Sequence, residues 1–180
     1  TKTSNSFEFT SFWADANNKV IPDIVDFTKT FFAKHTILNI LTKYCIFTSE
    51  NLLLVMRPYQ IVATERILNR IEIAHNYKKY GSIAGGGYIW HTTGSGKTMT
   101  SFKSAQLIAQ ARTADKVVFL MDRIELGTQS LKEYRAFADH PDDVQDTEDT
   151  IALIGKLTSM DPKDALIVSS IQKMSNIRED

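Results

Sequence analysis

The chain has 180 residues, which is enough for one domain with a hydrophobic core. Its 21 lysine and arginine residues balance 21 aspartate and glutamate residues, so the overall charge gives no indication of a polyanionic partner. No apolar run approaches the roughly 18 residues of a membrane span, and the single cysteine excludes an internal disulfide, so we expect a cytoplasmic protein without a membrane partner. Because the chain begins at Thr1 and ends just after an apolar strand pattern, we expect it to be part of a larger protein.

The first 50 residues differ in pattern from the rest of the chain. Apolar residues recur at helical spacing over 21–32 and again over 37–41, so residues 1–50 are predicted to form a mainly helical lead-in. We interpret the aromatic residues of this lead-in as a surface that packs against the domain formed by residues 51–180. A platform for stacking nucleic-acid bases is the alternative interpretation of the same aromatic residues.

A long helix is predicted from Pro58 to about Lys79, because proline suits the first helical turn and the apolar residues that follow share one face. Gln60 is a polar residue on that apolar face, and a buried amide needs a hydrogen-bonding partner. The side chain could cap backbone groups of the first turn. Equally, the amide offers one donor and one acceptor, which is what the edge of an adenine base requires. The sequence does not separate these two interpretations.

The most informative segment is a glycine-rich stretch between a predicted strand and a predicted helix. Residues 88–90 are apolar and aromatic, as in a buried strand, and a helix-forming run begins at Lys97. Between them, Gly94 and Gly96 would let the backbone curl so that successive N–H groups point at phosphate oxygens, beside the positive end of the helix dipole. In such a loop Lys97 would contact the β- and γ-phosphates of a nucleotide, and the Thr98 hydroxyl would bind Mg²⁺.

The second half of the chain alternates apolar strands with helices, which indicates an α/β fold with a parallel sheet and right-handed crossovers. Strands are predicted at 116–121 and 165–168, with a helix before the first strand and another after it. Residues 139–149 contain six acidic residues and no basic residue, so we predict a solvated, flexible loop there.

Polar residues follow each predicted strand, and the ends of parallel strands lie on one edge of a sheet, where open α/β folds bind their ligands. That edge would combine the glycine-rich loop, Asp122 with Arg123, and the hydroxyl groups of Ser169 and Ser170. Such groups hold a nucleic-acid backbone without reading its bases, although each of them alone could also cap a helix. Asp122 also fits a carboxylate that holds Mg²⁺ at the end of a hydrophobic strand. In that case the chain would be a stand-alone P-loop nucleotide kinase or ATPase.

The segment 89–98 reads Ile-Trp-His-Thr-Thr-Gly-Ser-Gly-Lys-Thr, with Trp-His directly before the glycine-rich loop. It resembles the ATP-binding motif of the restriction (motor) subunit of type I restriction–modification enzymes, which are superfamily 2 helicase-like ATPases. His91 stands where the usual phosphate-binding pattern has its first glycine, and this difference is normal in that superfamily. The segment 57–60, Arg-Pro-Tyr-Gln at the start of a long helix, resembles the family's adenine-reading motif.

Two later segments extend the resemblance along the chain. Asp122 and Arg123, followed by Gln129, resemble the next helicase motif, although the family more often has Asp-x-x-Gln. The segment 168–173, Val-Ser-Ser-Ile-Gln-Lys, resembles a later motif that contacts the DNA backbone, with serine where threonine is common. The motifs occur in the family's order, and the resemblance covers nearly the whole chain.

The resemblance implies a RecA-like P-loop domain, a parallel sheet flanked by helices. This chain would hold an incomplete first motor domain behind a lead-in from a nuclease domain. The implied cofactors are ATP and Mg²⁺, with Lys97 and Thr98 as catalytic residues and Thr98 as the metal ligand. The cofactor-binding residues that it implies are Arg57, Gln60, Thr92, Thr93, Gly94, Ser95, Gly96, Lys97 and Thr98. The DNA-binding residues that it implies are Arg123, Ser169, Ser170 and Lys173.

The activity that the resemblance implies is ATP hydrolysis coupled to translocation and cleavage of double-stranded DNA. The setting would be a bacterial or archaeal cytoplasm, in complex with methylase and specificity subunits. The nuclease residues would precede Thr1 and the metal-binding Asp-Glu box would follow Asp180, so we expect the chain alone to be inactive. Two other interpretations stay open: the stand-alone kinase or ATPase, and a non-catalytic module that binds DNA or docks a partner.

Overall fold

The computed structural model describes residues 10, 12–122 and 124–177 of the chain. The helices are α1 (Ile24–Phe31), α2 (Lys34–Lys43), α3 (Pro58–Asn76), α4 (Lys97–Gln110), α5 (Ile124–Phe137), α6 (Thr150–Thr158) and α7 (Ile171–Ser175). The strands are β1 (Cys45–Phe47), β2 (Leu53–Val55), β3 (Val117–Met121), β4 (Val144–Asp146) and β5 (Leu166–Ser170). None of these helices is long and apolar enough to cross a membrane.

Helix α1 carries an aromatic cluster. The helix begins after Asp23, whose carboxylate accepts hydrogen bonds from two backbone N–H groups of the first turn and so satisfies donors that have no partner inside the helix. The ring of Phe31 lies 5.2 Å from that of Trp13 and 5.0 Å from that of Phe27, measured between centroids. These aromatic residues of the lead-in therefore pack against one another.

The hairpin formed by β1 and β2 follows the first two helices. Its strands are antiparallel, with Cys45 opposite Val55. Tyr44, directly before β1, is buried, and its hydroxyl donates a 2.8 Å hydrogen bond to Glu65 Oε1 on α3. Lys103 on α4 is also buried, and its ammonium group donates to Cys45 O at 3.0 Å. These two bonds hold the hairpin against helices α3 and α4.

Three parallel strands form the main sheet, in the order β3–β5–β4. Met121 of β3 lies opposite Ser170 of β5, and Val144 of β4 lies opposite Leu166 of β5. All five residues of the central strand β5 are buried, as expected for a parallel strand that is covered on both faces. The α/β class and the parallel sheet predicted from the alternating pattern are therefore confirmed.

The hydrophobic core joins the sheet to helices α4 and α5. Phe102 of α4 and Tyr134 of α5 are almost fully buried, and their rings meet edge to face with centroids 5.2 Å apart. The hydroxyl of Tyr134 donates a 2.7 Å hydrogen bond to Ser101 Oγ, so its polar end is satisfied. Burying one large apolar side chain contributes about 1.5–3 kcal/mol, so this pair anchors α4 in the core.

The strand predicted at 88–90 does not form, and this prediction was wrong. Tyr88 and Trp90 are 88% and 87% exposed, and residues 86–90 have no regular secondary structure. A strand exists through hydrogen bonds to a neighbouring strand, and within the described residues no strand pairs with this segment. Aromatic residues fit a pleated, half-buried surface, but their presence does not supply the partner that creates one.

The acidic stretch 139–149 was predicted to be a flexible loop, and its middle instead forms β4. Val144 is 1% exposed and pairs with Leu166 of β5. All six acidic residues of the stretch remain exposed, and Asp149 accepts a 2.7 Å bond that caps helix α6. The charge pattern therefore predicted the solvation of this stretch, while one apolar side chain and an available sheet edge decided its structure.

Candidate functional site

A tight loop of residues 92–96, here called the glycine loop, leads directly into helix α4. Gly94 and Gly96 have φ angles of 77° and 78°, in the left-handed region that residues with a Cβ atom rarely adopt. Helix α4 then begins at Lys97, as the sequence predicted. The two glycines therefore occupy positions where the backbone conformation itself favours glycine.

The glycine loop is closed around the carbonyl oxygen of Thr92. That oxygen accepts hydrogen bonds from Ser95 N at 3.3 Å, Ser95 Oγ at 2.7 Å and Lys97 Nζ at 3.2 Å. The ammonium group of Lys97 therefore folds back over the loop that precedes its own helix, although the side chain stays exposed. Thr92 and Thr93 are exposed as well, so this side of the loop faces solvent.

The start of α4 offers free hydrogen-bond donors. Within the described residues, nothing accepts a hydrogen bond from the backbone N–H groups of Gly96, Lys97 or Thr98. First-turn donors of a helix have no partner inside the helix, and the helix dipole makes this end electropositive. Together with Lys97 Nζ, these N–H groups form a donor set that fits phosphate oxygens. The Thr98 hydroxyl, on the same turn, is a hard oxygen ligand of the kind that suits Mg²⁺.

Helix α3 begins at Pro58, as predicted, and brings Gln60 against the glycine loop. Gln60 is 4% exposed. Its Oε1 accepts a 2.8 Å bond from Arg57 N, and its Nε2 donates to Ser95 O at 3.4 Å and to Gly96 O at 3.3 Å. The helix cap that was one of the two predicted roles is therefore present, and the same amide also joins α3 to the loop. Contact with an adenine edge stays a prediction.

Tyr59, for which the sequence predicted no role, also contacts the glycine loop. Its hydroxyl donates a 3.0 Å bond to Ser95 O. Its ring lies edge-on to the imidazole of His91, with centroids 6.0 Å apart, and His91 Nδ1 is buried without a hydrogen-bonding partner in the described structure. The available signal in the sequence was the position of Tyr59 directly before Gln60, in the first turn of α3.

The ends of β3 and β5 lie side by side, which brings together two of the segments predicted at the sheet edge. Gln172 Nε2, just after β5, donates a 3.2 Å bond to Asp122 O, just after β3. Arg123 lies outside the described residues. Among the residues that the structure describes, no cluster of three or more His, Cys, Asp or Glu side chains could hold a metal ion, at Asp122 or elsewhere.

The side chains predicted for DNA contact at the end of β5 and just after it make hydrogen bonds inside the protein. Ser169 is 4% exposed, and its Oγ accepts a 2.9 Å bond from Thr147 Oγ1. Ser170 Oγ accepts a 3.3 Å bond from Lys173 N and caps the short helix α7. The ammonium group of Lys173 donates to Thr147 O. The helix-cap role is therefore present at Ser170, and contact of these residues with DNA stays a prediction.

Burial shifts the pKa values of two groups that link α4 to the hairpin. Burial lowers the pKa of Lys103, and the electrostatic interactions with Asp139 and with the Cys45 side chain oppose this shift. The Lys103 ammonium group is satisfied by Cys45 O and by Gln106 Oε1 at 2.9 Å. Burial raises the pKa of the Cys45 thiol, and the positive charge of Lys103 opposes that shift. The helix that begins at the glycine loop is therefore tied to the hairpin by a buried, hydrogen-bonded amine.

The chain is similar to a family of ATPases and to several curated proteins. A family model described as SWI2/SNF2 ATPase matches residues 59–180. The C-terminal part of a type I restriction enzyme endonuclease subunit from Mycoplasma pneumoniae is 43% identical over 166 residues. The matched region covers 92% of this chain and 80% of that protein.

Two longer relatives carry the same kind of name. A type I restriction enzyme endonuclease subunit from Staphylococcus saprophyticus is 38% identical over 165 residues, which are 91% of this chain and 16% of that protein. The EcoprrI endonuclease subunit from Escherichia coli is 58% identical over 71 residues, which are 39% of this chain and 23% of that protein. The chain thus spans most of the Mycoplasma relative but less than a quarter of these two.

Proposed function

The chain belongs to the SWI2/SNF2 ATPases and to the endonuclease subunits of type I restriction enzymes, and from this membership we propose that it is part of an ATP-driven DNA motor. Its site for ATP and Mg²⁺ is the glycine loop together with the first turn of α4. The observation that carries the proposal is the donor set of Gly96, Lys97 and Thr98 N–H groups beside the Lys97 ammonium group. When bound, ATP supplies the phosphoryl transfer to water that drives the motor.

Each residue of the proposed ATP site has a role that its chemistry allows. Lys97 contacts the β- and γ-phosphates and stabilises the negative charge that develops there, and Thr98 holds Mg²⁺. Gln60 would offer its amide to the adenine edge by exchanging its present bonds to Arg57 N, Ser95 O and Gly96 O. The other members of the proposed site surround the phosphates or support the loop: Arg57, Thr92, Thr93, Gly94, Ser95 and Gly96.

In this proposal residues 51–180 form the N-terminal part of a RecA-like motor domain, and residues 1–50 connect it to a preceding domain. The parallel order β3–β5–β4 supports this architecture, as do helices α4 and α5, which share the core with the sheet. The position of the glycine loop at the start of α4 also supports it, since P-loop folds place their phosphate site before a helix. Helices α1 and α2 give the lead-in its helical content.

The sheet edge at the ends of β3 and β5 is the proposed track for the DNA backbone. Lys173 supplies positive charge at this edge. Ser169 and Ser170 supply hydroxyl groups, which would exchange their present bonds inside the protein for bonds to the phosphates. Arg123, which lies outside the described residues, is a further proposed phosphate contact because it follows Asp122 in the sequence. Phosphate contacts position a protein on DNA without reading its sequence, which suits a motor that passes over any sequence. In the proposed complex Lys173 exchanges its bond to Thr147 O for a bond to a phosphate oxygen.

In the whole subunit, the proposed motor couples ATP hydrolysis to translocation along double-stranded DNA, which a nuclease domain elsewhere in the polypeptide then cuts. The names of the relatives, endonuclease subunits of type I restriction enzymes, support this assignment. The proposed complex also contains methylase and specificity subunits and acts in the bacterial or archaeal cytoplasm.

Substitution of Lys97 by alanine in the full-length subunit tests the ATP site. We expect loss of ATP hydrolysis and of translocation with an unchanged fold, because the exposed Lys97 side chain contributes one hydrogen bond, to Thr92 O. Lys132→Ala is a matched control, since Lys132 is also an exposed helical lysine but lies on α5. Normal ATP turnover by a folded Lys97→Ala protein would overturn the proposal.

A further inference from the structure

We propose that Tyr59 is a positioning residue for the phosphate groups of the bound nucleotide. Its hydroxyl holds the peptide group between Ser95 and Gly96 so that the Gly96 N–H points at the phosphates. This inference rests on the proposed function of the glycine loop and adds to it a residue outside the loop. Tyr59 then acts on the triphosphate through the loop backbone and not on the base.

The carbonyl oxygen of Ser95 joins the glycine loop to helix α3 through hydrogen bonds. It accepts two hydrogen bonds from the first turn of α3, one from Tyr59 Oη at 3.0 Å and one from Gln60 Nε2 at 3.4 Å. Hydrogen bonds weaken as they lengthen beyond the usual range, and Gln60 Nε2 also serves Gly96 O at 3.3 Å. The Tyr59 hydroxyl therefore makes the stronger of the two hydrogen bonds to this carbonyl oxygen.

Holding the Ser95 carbonyl also sets the direction of the Gly96 N–H. All described peptide bonds are trans, and in a planar trans peptide the C=O and N–H bonds point in opposite directions. Since the Ser95 carbonyl points at α3, the Gly96 N–H points away from α3. That N–H has no acceptor among the described residues. The bond from Tyr59 to Ser95 O therefore sets the direction of an N–H group that is available to a ligand.

A hydrogen bond from outside the glycine loop helps to fix its conformation, because the two glycines give the loop backbone many accessible conformations. The peptide between Ser95 and Gly96 has Gly94 one residue before it, and both glycines have positive φ angles. A Cβ atom at Gly94 would meet nothing within 4 Å, so no packed neighbour confines that side of the loop. Glycine has the widest choice of backbone conformations, and a loop fixed in its binding conformation avoids the entropy cost of becoming ordered on binding.

The Tyr59 ring can keep its place when the hydroxyl is removed. Tyr59 lies in the first turn of α3, and its ring contacts the imidazole of His91 through an edge-on arrangement that phenylalanine can reproduce. The side chain is 42% exposed, so loss of the oxygen leaves no enclosed cavity. Tyr59→Phe therefore removes the bond to Ser95 O and little else.

Competition binding on the full-length subunit tests the inference. ATP, GTP and inorganic triphosphate each compete with a fluorescent ATP analogue for the wild-type, Tyr59→Phe and Tyr77→Phe proteins. We expect Tyr59→Phe to lower the affinities for ATP and for inorganic triphosphate by the same factor. That factor is about 2 to 12, which is the net effect of one hydrogen bond. The ratio of ATP to GTP affinity stays unchanged. Tyr77→Phe, whose ring is 71% exposed just after α3, is expected to change none of these affinities.

Two outcomes would overturn the inference, with thermal unfolding showing that each variant is folded. In the first, Tyr59→Phe binds inorganic triphosphate as tightly as the wild type does. In the second, only the ATP to GTP ratio changes, which would place Tyr59 on the base. Lys97→Ala, measured alongside, separates the two levels of the proposal. If both Tyr59→Phe and Lys97→Ala bind inorganic triphosphate normally, the proposed function of the glycine loop fails. If Lys97→Ala loses binding and Tyr59→Phe does not, only the proposed role of Tyr59 fails.

Discussion

A Cβ atom at Gly96 would lie 2.3 Å from Nε2 of Gln60, closer than real Cβ atoms approach other heavy atoms. The last residue of the glycine loop and a residue in the first turn of α3 are therefore matched in shape. The missing side chain at Gly96 makes room for the amide that contacts the loop at Ser95 O and Gly96 O. Gly96 is constrained a second time by its φ angle of 78°.

Alanine substitutions at the two loop glycines separate these constraints. Each substitution places a Cβ atom on a left-handed backbone, which costs roughly 1–2 kcal/mol. Gly96→Ala additionally displaces Gln60, whereas a Cβ atom at Gly94 would meet nothing within 4 Å. We therefore expect Gly96→Ala to weaken ATP binding by the full-length subunit more than Gly94→Ala does, as measured by equilibrium titration. Equal losses would mean that the contact with Gln60 contributes nothing to binding.

Gln60→Ala is expected to reduce the preference for ATP over GTP. An amide that matches the adenine edge is mismatched with guanine, and a buried unpaired polar group costs about 1–3 kcal/mol, or a factor of about 5–150. The same substitution removes the cap on Arg57 N, so the free energy of unfolding should fall by about 0.5–2 kcal/mol. Competition titrations and thermal unfolding measure the two effects. A stability loss with an unchanged ATP to GTP ratio would leave Gln60 as a cap and loop contact.

Neutralising Lys173 or Arg123 in the full-length subunit is expected to weaken DNA binding equally for all sequences. Each phosphate contact that is lost should reduce the slope of log K against log salt by about 0.9. ATP binding without DNA should not change. Lys132→Gln, an exposed lysine on α5, serves as the control. If Lys173→Gln lowers stability but leaves the salt slope unchanged, Lys173 serves the bond to Thr147 O and not DNA.

The 180-residue chain by itself is expected to bind nucleotide weakly and to show no ATP turnover. Phosphoryl transfer needs a metal ion, a positioned water and charge stabilisation together, and the described residues offer no carboxylate cluster for the metal. A coupled phosphate-release assay on the purified chain measures this. Steady turnover that Asp122→Asn abolishes would instead favour a stand-alone kinase or ATPase.

Alkaline pH is expected to destabilise the fold through Tyr134. Burial raises the pKa of Tyr134, and the hydrogen bond to Ser101 partly opposes the shift. The folded state therefore keeps its proton at a pH where the unfolded chain, with an ordinary tyrosine pKa of about 10, releases it. The stability from this group is complete below about pH 10 and is lost as the pH rises further.

Urea denaturation at several pH values between about 8 and 11 measures this effect. Tyr134→Phe should make the free energy of unfolding fall less steeply above about pH 10. Burial also raises the pKa of Tyr44, so part of the fall should remain in the variant. Tyr77→Phe, at an exposed ring, should leave the slope unchanged. An identical slope in Tyr134→Phe and wild type would contradict the prediction.

Features that depend on neighbouring residues were predictable from the sequence. Helix α3 begins at Pro58 and α4 at Lys97, because proline and a glycine boundary mark helix starts locally. The end of α3 was less accurate, at Asn76 instead of about Lys79, since no strong stop signal follows it. Strand β3 lies in the continuous apolar run that predicted it, whereas β5 begins in the predicted run and extends two residues beyond it, through Ser170. The helix-cap role of Gln60 was one of the two roles that its position predicted.

Features that depend on distant residues were not predictable in this way. Residues 88–90 have the composition of a strand and no strand beside them in the described structure, whereas Val144 lies in an acidic stretch and joins the sheet because β5 has an open edge. The bond from Tyr59 to Ser95 joins residues 36 positions apart. Local pattern established which segments were able to form helices, strands and a glycine loop. Packing in three dimensions established which of them found a partner. A strand hydrogen bond or a buried surface needs a second segment, and a local sequence pattern describes only the first.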